Sequence, residues 1–128
     1  MKLIDSSAWI EWMIGSPVGK IVSQSIPDKE SWVVPTVVQL ELAKWLKREK
    51  GEHISETVLA FTNTCIVVPL DTKLALVAAD IIVENKLSMA DALIYATALE
   101  YCDELITCDA HFAGLPKVTY HPKSGNMN

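Results

Sequence analysis

The sequence lacks the features that mark several classes of protein. Its three cysteines, Cys65, Cys102 and Cys108, are odd in number and have no C-x-x-C spacing, which predicts buried thiols in a reducing compartment rather than disulfides or zinc ligands. No apolar run is long enough to span a membrane, and the N-terminus has no signal-peptide pattern. The three histidines have no spacing typical of a metal site. We therefore expect a cytoplasmic protein with no membrane partner.

Positive charge is also scarce. The chain has 11 lysines and arginines against 16 aspartates and glutamates, for a formal net charge of −5. Proteins that hold nucleic acid by charge alone are usually strongly basic, so this balance argues against such a binder. It does not exclude an enzyme that reaches phosphate groups through bound metal ions.

Short apolar strands alternate with helical patterns along the chain. The predicted strands lie at residues 2–4, 32–34, 65–68, 104–108 and 117–120. The predicted helices begin near residues 8, 17, 36, 54, 72 and 88. This alternation is typical of βαβ units and predicts an α/β fold, a single three-layer domain with a parallel sheet of about five strands and helices on both faces. We place this domain at residues 1–122, followed by a polar C-terminal tail at residues 123–128.

Polar residues stand at the starts of three of the predicted helices. Ser88 precedes a helix that is apolar on most sides and is therefore expected to be buried. Asp71 or Thr72 is expected to cap the helix before it. Thr36 and Gln39 have the spacing of a capping box, which predicts a reciprocal pair of hydrogen bonds at that helix start.

Four carboxylates are expected to meet at one edge of the sheet. Asp5 and Asp109 follow predicted strands, and Glu41 and Asp91 lie in the first two turns of helices that begin near the same edge. Carboxylates ~5 Å apart repel by roughly 3 kcal/mol per pair at an effective dielectric of about 20, so the cluster must take up protons or bind a cation. Oxygen ligands favour Mg²⁺ or Mn²⁺ over zinc, and such ions commonly serve phosphoryl chemistry.

Each of these acids also has a simpler interpretation. Asp91 can belong to a capping box with Ser88, Asp109 can cap the turn that follows it, Glu41 can be a solvated helix residue, and Asp5 can cap the first helix. Taken singly, these alternatives are favoured over catalysis. Taken together, they require all four acids to reach one sheet edge by chance, and this favours a functional site.

Four runs of the sequence carry a resemblance to a known family. They are Leu3-Ile4-Asp5-Ser6-Ser7, Val38-Gln39-Leu40-Glu41-Leu42, the run from Ser88 to Ala98, and the run from Leu105 to Phe112. Their order and spacing resemble a PIN domain over nearly the whole chain. In size and lack of added domains, the chain most resembles the VapC-type toxins of toxin–antitoxin pairs.

The resemblance implies a Mg²⁺- or Mn²⁺-dependent endoribonuclease. It implies that Asp5, Glu41, Asp91 and Asp109 are the catalytic and metal-binding acids. Ser6 and Thr107 match hydroxyl positions that support the acids. His111 occupies a place where many relatives carry another acid. The resemblance also implies a homodimer that acts on RNA and is inhibited by a cognate antitoxin protein lying in a groove near the active site.

Two further clusters have a structural and a functional interpretation. Trp9, Trp12 and Met13 are either core residues or the lining of the antitoxin groove, and we assign part of their face to the groove. The basic run from Lys44 to Lys50 is either a solvated helix face or a phosphate contact. Lys44 lies about 60° around the helix from Glu41, so we assign RNA binding to Lys44.

Two alternatives to a ribonuclease remain. One is a catalytically inactive PIN-like module that binds RNA. The other is a receiver-like regulatory domain, which also gathers acids and Mg²⁺ at this edge of a sheet. A receiver needs a phosphate-accepting Asp after its central strand and a Lys after a later one. Pro69 follows Val68, and no Lys follows the strand that ends near Thr107, so we rank this alternative last.

Overall fold

Five short strands form one parallel sheet in this computed structural model, which describes residues 1–123. The strands are β1 (Lys2–Ile4), β2 (Trp32–Pro35), β3 (Ile66–Val68), β4 (Glu104–Thr107) and β5 (Val118–Tyr120). Their order across the sheet is β3-β2-β1-β4-β5, and every neighbouring pair is parallel. The chain moves from β1 to β3 in one direction and then returns past β1 to β4. Because parallel crossovers are right-handed, this reversal puts helices on both faces, and the predicted α/β fold is confirmed.

Within residues 1–123, six α-helices connect and cover the strands. They are α1 (Ser6–Ile14), α2 (Pro17–Ser23), α3 (Thr36–Glu49), α4 (Glu52–Thr62), α5 (Thr72–Asn85) and α6 (Met89–Tyr101). Gly15 ends α1 in the left-handed conformation, with φ of 68°, which a residue with a Cβ rarely adopts. Short 3₁₀ turns span Lys29–Ser31 and Ala110–Phe112.

The observed helix caps match two of the three predictions. The side chains of Asp71 and Ser88 each accept a backbone N–H from the first turn of their helix, as expected. The prediction of a capping box at Thr36 was wrong, because Pro35 occupies the N-cap position and no side chain caps the helix. The amide of Gln39 instead donates to Thr62 Oγ1 at 3.0 Å and so ties α3 to the end of α4.

Aromatic stacking holds α1 against the sheet. The rings of Trp9 and Trp32 stack with centroids 4.6 Å apart, and Phe61 from α4 packs edge-on against both. Trp9 is only 1% exposed and is therefore a core residue. Trp12 from the next turn of α1 is partly exposed at the margin of this cluster.

Helix α6 is buried as predicted. Its inward residues are mostly small, which lets the helix lie close to the sheet and keeps its first turn near the strand ends. The buried positions are Ala92, Ile94, Tyr95, Ala96, Thr97 and Ala98.

The strand order excludes the receiver-like alternative. Receiver domains have the order 2-1-3-4-5, in which β3 lies next to β1. Here β1 is the central strand and lies between β2 and β4, while β3 is at an edge. The receiver-like prediction is therefore wrong.

Two further findings concern membrane-spanning helices and the predicted C-terminal tail. Among residues 1–123, no helix is both long enough and apolar enough to cross a bilayer. The predicted polar tail at residues 123–128 lies outside the described residues apart from Lys123.

Candidate functional site

The sheet brings two of the predicted acids together directly. β1 and β4 are adjacent and in register, with Ile4 paired to Ile106. Asp5 follows β1, and its backbone N–H donates to the carbonyl of Ile106 at 2.9 Å. Asp109 follows β4 after one intervening residue. Both acids therefore leave the carboxyl edge of the sheet at neighbouring strands, as the sequence predicts.

Asp5 is the most deeply buried acid of the cluster, at 2% exposure. Its Oδ2 atom accepts hydrogen bonds from Ser7 Oγ at 2.7 Å and from Thr107 Oγ1 at 2.8 Å. Burial raises the pKa of the Asp5 carboxyl to about 6, although these two hydroxyl bonds lower it. The nearby charges of Glu41 and Asp91 raise that pKa further.

Two hydroxyl groups link the end of β1 to the segment after β4. Thr107 Oγ1 accepts the backbone N–H of Asp109 at 2.9 Å, and Ser7 Oγ accepts that of Cys108 at 3.0 Å. Each hydroxyl has a single proton, and both protons are donated to Asp5. The 3.3 Å separation of the two hydroxyl oxygens is therefore a contact without a hydrogen bond of its own. The pair fixes the Asp5 carboxylate and the backbone that carries Asp109.

Ser7 is a site residue that the sequence pattern did not single out. The Asp-Ser-Ser run could have indicated this role of Ser7, because a serine two residues after an aspartate can reach back to that carboxylate. Thr107, which was expected to support the acids, does so through the two bonds described above.

Glu41 joins the cluster from the second turn of α3. Ser6 Oγ donates to Glu41 Oε1 at 2.8 Å, so the first residue of α1 orients an acid on a different helix. Partial burial raises the pKa of Glu41, while the Ser6 bond lowers it. The charges of Asp91 and Asp109 raise that pKa further, so Glu41 lies within electrostatic range of both acids.

Asp91 combines the capping interpretation with the cluster interpretation. Its backbone N–H donates to Ser88 Oγ at 3.2 Å, which is the N-cap of α6. Its carboxylate is only 15% exposed, and Oδ2 lies 3.5 Å from the imidazole Nδ1 of His111. Burial raises the pKa of Asp91, and the charge of Asp109 raises it further. The cap therefore leaves the carboxylate available to the cluster.

His111 lies beside two of the acids, although the spacing of the histidines in the sequence did not indicate a metal site. Its Nδ1 atom is 3.2 Å from Asp109 Oδ1, which also accepts the His111 backbone N–H at 2.9 Å. Ligand atoms of Asp91, Asp109 and His111 all lie within 4.8 Å of one another, so these three side chains can hold a metal ion. Sequence spacing missed this group because Asp91 comes from a different helix.

Two of the four acids line cavities, Glu41 in one and Asp109 in another. One, of about 230 Å³, is lined by Ser6, Ile10, Glu41, Lys44, Trp45 and Arg48. We call it the α3 cavity. The other, of about 290 Å³, is lined by Ser7, Cys108, Asp109, Ala110, Tyr120 and Lys123. Lys44, to which RNA binding was assigned, thus shares a cavity with Glu41.

None of the four acids lines the predicted partner groove. An apolar cavity of about 240 Å³ is lined by Trp9, Trp12, Met13, Thr57, Val58 and Phe61. Trp12 and Met13 are partly exposed there, whereas Trp9 is almost wholly buried beneath them. Of the three predicted groove residues, Trp12 and Met13 can therefore contact a partner, beside the exposed ring of Phe61.

A central parallel sheet with clustered acids at its carboxyl edge defines a class of α/β domains suited to binding a divalent cation. Within that class, the sequence model of the PIN domain matches residues 2–118. The chain belongs to the PIN domain family. Comparison with curated proteins gives no match.

Solved structures show the same fold over almost the full chain. A toxin–antitoxin complex from Klebsiella pneumoniae is 25% identical, with a TM-score of 0.78, and the match covers 93% of this chain and 96% of that one. VapC20 from Mycobacterium tuberculosis, a toxin that cleaves the sarcin–ricin loop, is 19% identical with a TM-score of 0.77 and coverage of 95% and 100%. DNA-bound VapBC from Salmonella typhimurium is 13% identical with a TM-score of 0.70 and coverage of 94% and 96%.

Proposed function

We propose that this protein is a Mg²⁺- or Mn²⁺-dependent endoribonuclease and the toxin of a toxin–antitoxin pair. The observation that carries the proposal is the convergence of four carboxylates at the carboxyl edge of the central strands of a PIN fold. The similar structures from Klebsiella pneumoniae and Mycobacterium tuberculosis are described as a toxin–antitoxin complex and a toxin that cleaves the sarcin–ricin loop, and they support the biological role.

The donor set fits a hard divalent cation. Asp5, Asp91 and Asp109 would hold the ion together with His111, with Glu41 beside them. Burial raises the pKa of Asp5, Glu41 and Asp91, so each ionised carboxylate is destabilised in the metal-free protein. A positive charge among them offsets that cost, and oxygen-rich ligation favours Mg²⁺ or Mn²⁺. When bound, such an ion polarises the scissile phosphate and lowers the pKa of a bound water.

The side chains around the acids orient the reaction. Ser6 holds one oxygen of Glu41, which leaves the other free to orient the attacking water and accept its proton. Ser7 and Thr107 keep the Asp5 carboxylate in place. Lys44 contacts a flanking phosphate from the α3 cavity. In-line hydrolysis would leave a 5′-phosphate and a 3′-hydroxyl.

The partner assignments complete the proposal. The antitoxin lays an extended or helical segment along the apolar cavity at Trp12 and Met13. The toxin forms a homodimer and acts in the cytoplasm, with residues 1–122 as the PIN-like domain.

Cleavage of cellular RNA by the purified protein tests the function. We expect cleavage with Mg²⁺ or Mn²⁺ and none with EDTA, and end mapping should give 5′-phosphates. Asp91→Asn should abolish cleavage without unfolding the protein. Asp80→Asn, an identical change on the exposed part of α5, is the matched control and should cleave normally. RNA binding without cleavage under any metal would contradict the proposal and favour the inactive RNA-binding module.

A further inference from the structure

One face of α3 carries both an acid of the cluster and the cationic lining of the α3 cavity. Glu41, Lys44, Trp45 and Arg48 are spaced at i, i+3, i+4 and i+7, so they share one side of the helix. Ser6 and Ile10 of α1 complete the lining of the cavity. A group bound there therefore lies beside Glu41 on a rigid element.

Trp45 departs from the core role that its position suggests. It belongs to the apolar stripe of α3, but Val38, Leu42 and Leu46 in that stripe are buried, whereas Trp45 is only partly buried. Its indole contributes to a cavity that also contains two cations and an acid. A partly exposed aromatic side chain beside cations is typical of surfaces that stack single-stranded nucleic acid.

The two cations of the α3 cavity are available to a ligand. Among the ion pairs within residues 1–123, none involves Lys44, and Arg48 has only its neighbour Glu49, with Nε and Oε2 3.8 Å apart. The Arg48 side chain is 63% exposed. Lys47, on the same helix, lies 3.8 Å from Glu52 and does not line the cavity. Lys44 lowers the pKa of Glu41, so its ammonium group is within electrostatic range of the acid cluster.

The size of the cavity limits what can occupy it. Its volume of about 230 Å³ is smaller than the roughly 300–1,000 Å³ of pockets that enclose drug-sized ligands. This volume suits one planar ring system with its attached phosphate better than a stretch of peptide. Positive charge at Lys44 and Arg48 favours an anion such as a phosphate, and Glu41 in the same lining would put that phosphate next to the acids.

We infer that the α3 cavity is a nucleotide subsite, in which one unpaired base of the RNA stacks on Trp45 while its phosphate lies between Lys44 and Arg48. This inference rests on the proposed ribonuclease function and specifies its substrate as RNA that is single-stranded next to the cut. A duplex cannot occupy the subsite, because its bases are stacked and paired with each other.

The test measures RNA binding in an Asp91→Asn background, so that the probe stays intact. The probe is a short single-stranded RNA containing a site that the wild type cleaves, or a mixed-sequence single strand if the wild type cleaves none. Trp45→Leu keeps apolar bulk for folding and removes the aromatic face. We expect it to weaken binding roughly 5- to 150-fold, the range for the loss of one stacked base, and Trp45→Phe to restore most of the affinity.

Two controls distinguish base stacking on Trp45 from a general loss of RNA affinity. A probe with an abasic nucleotide at one position beside the cut should bind the parent more weakly by a similar factor. The same probe should bind Trp45→Leu no more weakly than the intact probe does, because the variant has already lost that contact. Tyr120→Leu, in the other cavity, should leave this abasic effect intact. The melting temperature of Trp45→Leu should stay close to that of the parent.

Specific outcomes overturn the inference. Unchanged RNA affinity in Trp45→Leu, additive effects of the variant and the abasic nucleotide, or equal affinity for a duplex would each refute the subsite. Loss of antitoxin binding with unchanged RNA binding would show that a protein occupies the cavity. Absence of cleavage by the wild type refutes the proposed function instead, so the two failures are distinguishable.

Discussion

The buried carboxyl of Asp5 allows a quantitative prediction about the metal-free protein. Its pKa is raised from 3.8 to about 6, chiefly by burial. A difference of about 2 pKa units corresponds to about 3 kcal/mol, since one unit is about 1.36 kcal/mol. The folded state binds this proton more tightly than the unfolded state. The resulting stability is therefore fully present below pH 3.8 and is lost as the pH rises through about 6.

Asp5→Asn should remove this dependence on pH. Asparagine is nearly isosteric, and its single carbonyl oxygen can still accept the bonds from Ser7 and Thr107, which both reach one oxygen of Asp5. We expect the free energy of unfolding of the variant, relative to wild type, to rise by about 2–3 kcal/mol between pH 4 and pH 8. Glu41 and Asp91 are present in both proteins, so most of their own titration cancels in the comparison.

Urea denaturation at a series of pH values, with EDTA present throughout, measures the effect. Asp80→Asn is the control, because this exposed carboxyl lies outside the cluster. Added Mg²⁺ at pH 8 should stabilise wild type and not Asp5→Asn. Two results would refute this explanation of the buried acid. One is a difference in unfolding free energy between Asp5→Asn and wild type that does not change with pH, and the other is a wild type that is more stable than Asp5→Asn at pH 8 in EDTA.

Three further predictions concern the surroundings of the acids. Lys44→Ala should raise the KM for RNA with little change in kcat. It should also lower the slope of RNA affinity against salt concentration by about 0.7, the value for one phosphate contact. An equal change of slope in Lys47→Ala would argue against a specific contact at Lys44. Thr107→Val should lower the free energy of unfolding by about 1–3 kcal/mol in a denaturation assay, because the Asp109 backbone N–H loses its acceptor; unchanged stability would contradict the bridging role. Trp12→Ala should weaken antitoxin binding more than ten-fold in a calorimetric titration with little change in melting temperature, and an equal loss of folding stability would make Trp12 a core residue.

Local pattern was sufficient to predict most of the fold and the position of the acids. Strand ends at Asp5 and near Asp109 could be recognised because short apolar runs stop there, and parallel strands bring their carboxyl ends to one edge. The cap at Ser88 could be recognised because its partner is three residues away. These features depend on neighbours in the sequence.

The missed features depend on contacts between distant parts of the chain. His111 meets Asp91 only because the turn after β4 lies against the first turn of α6. Gln39 fits a capping box by spacing, but the end of α4 offers its amide a better acceptor at Thr62. The spacing of Trp45 places it on the apolar stripe of α3, but the neighbouring elements do not cover its side chain completely, so it is partly exposed. Sequence periodicity carries no information about such packing.

Binding of Mn²⁺ at pH 8, followed by the paramagnetic resonance signal of the free ion, shows whether the clustered acids form a cation site. We expect wild type to remove Mn²⁺ from solution and Mg²⁺ to compete for the same site. Asp91→Asn should bind much more weakly, whereas Asp80→Asn should bind like wild type. Equal Mn²⁺ binding by wild type and Asp91→Asn would contradict the claim that these acids form a cation site.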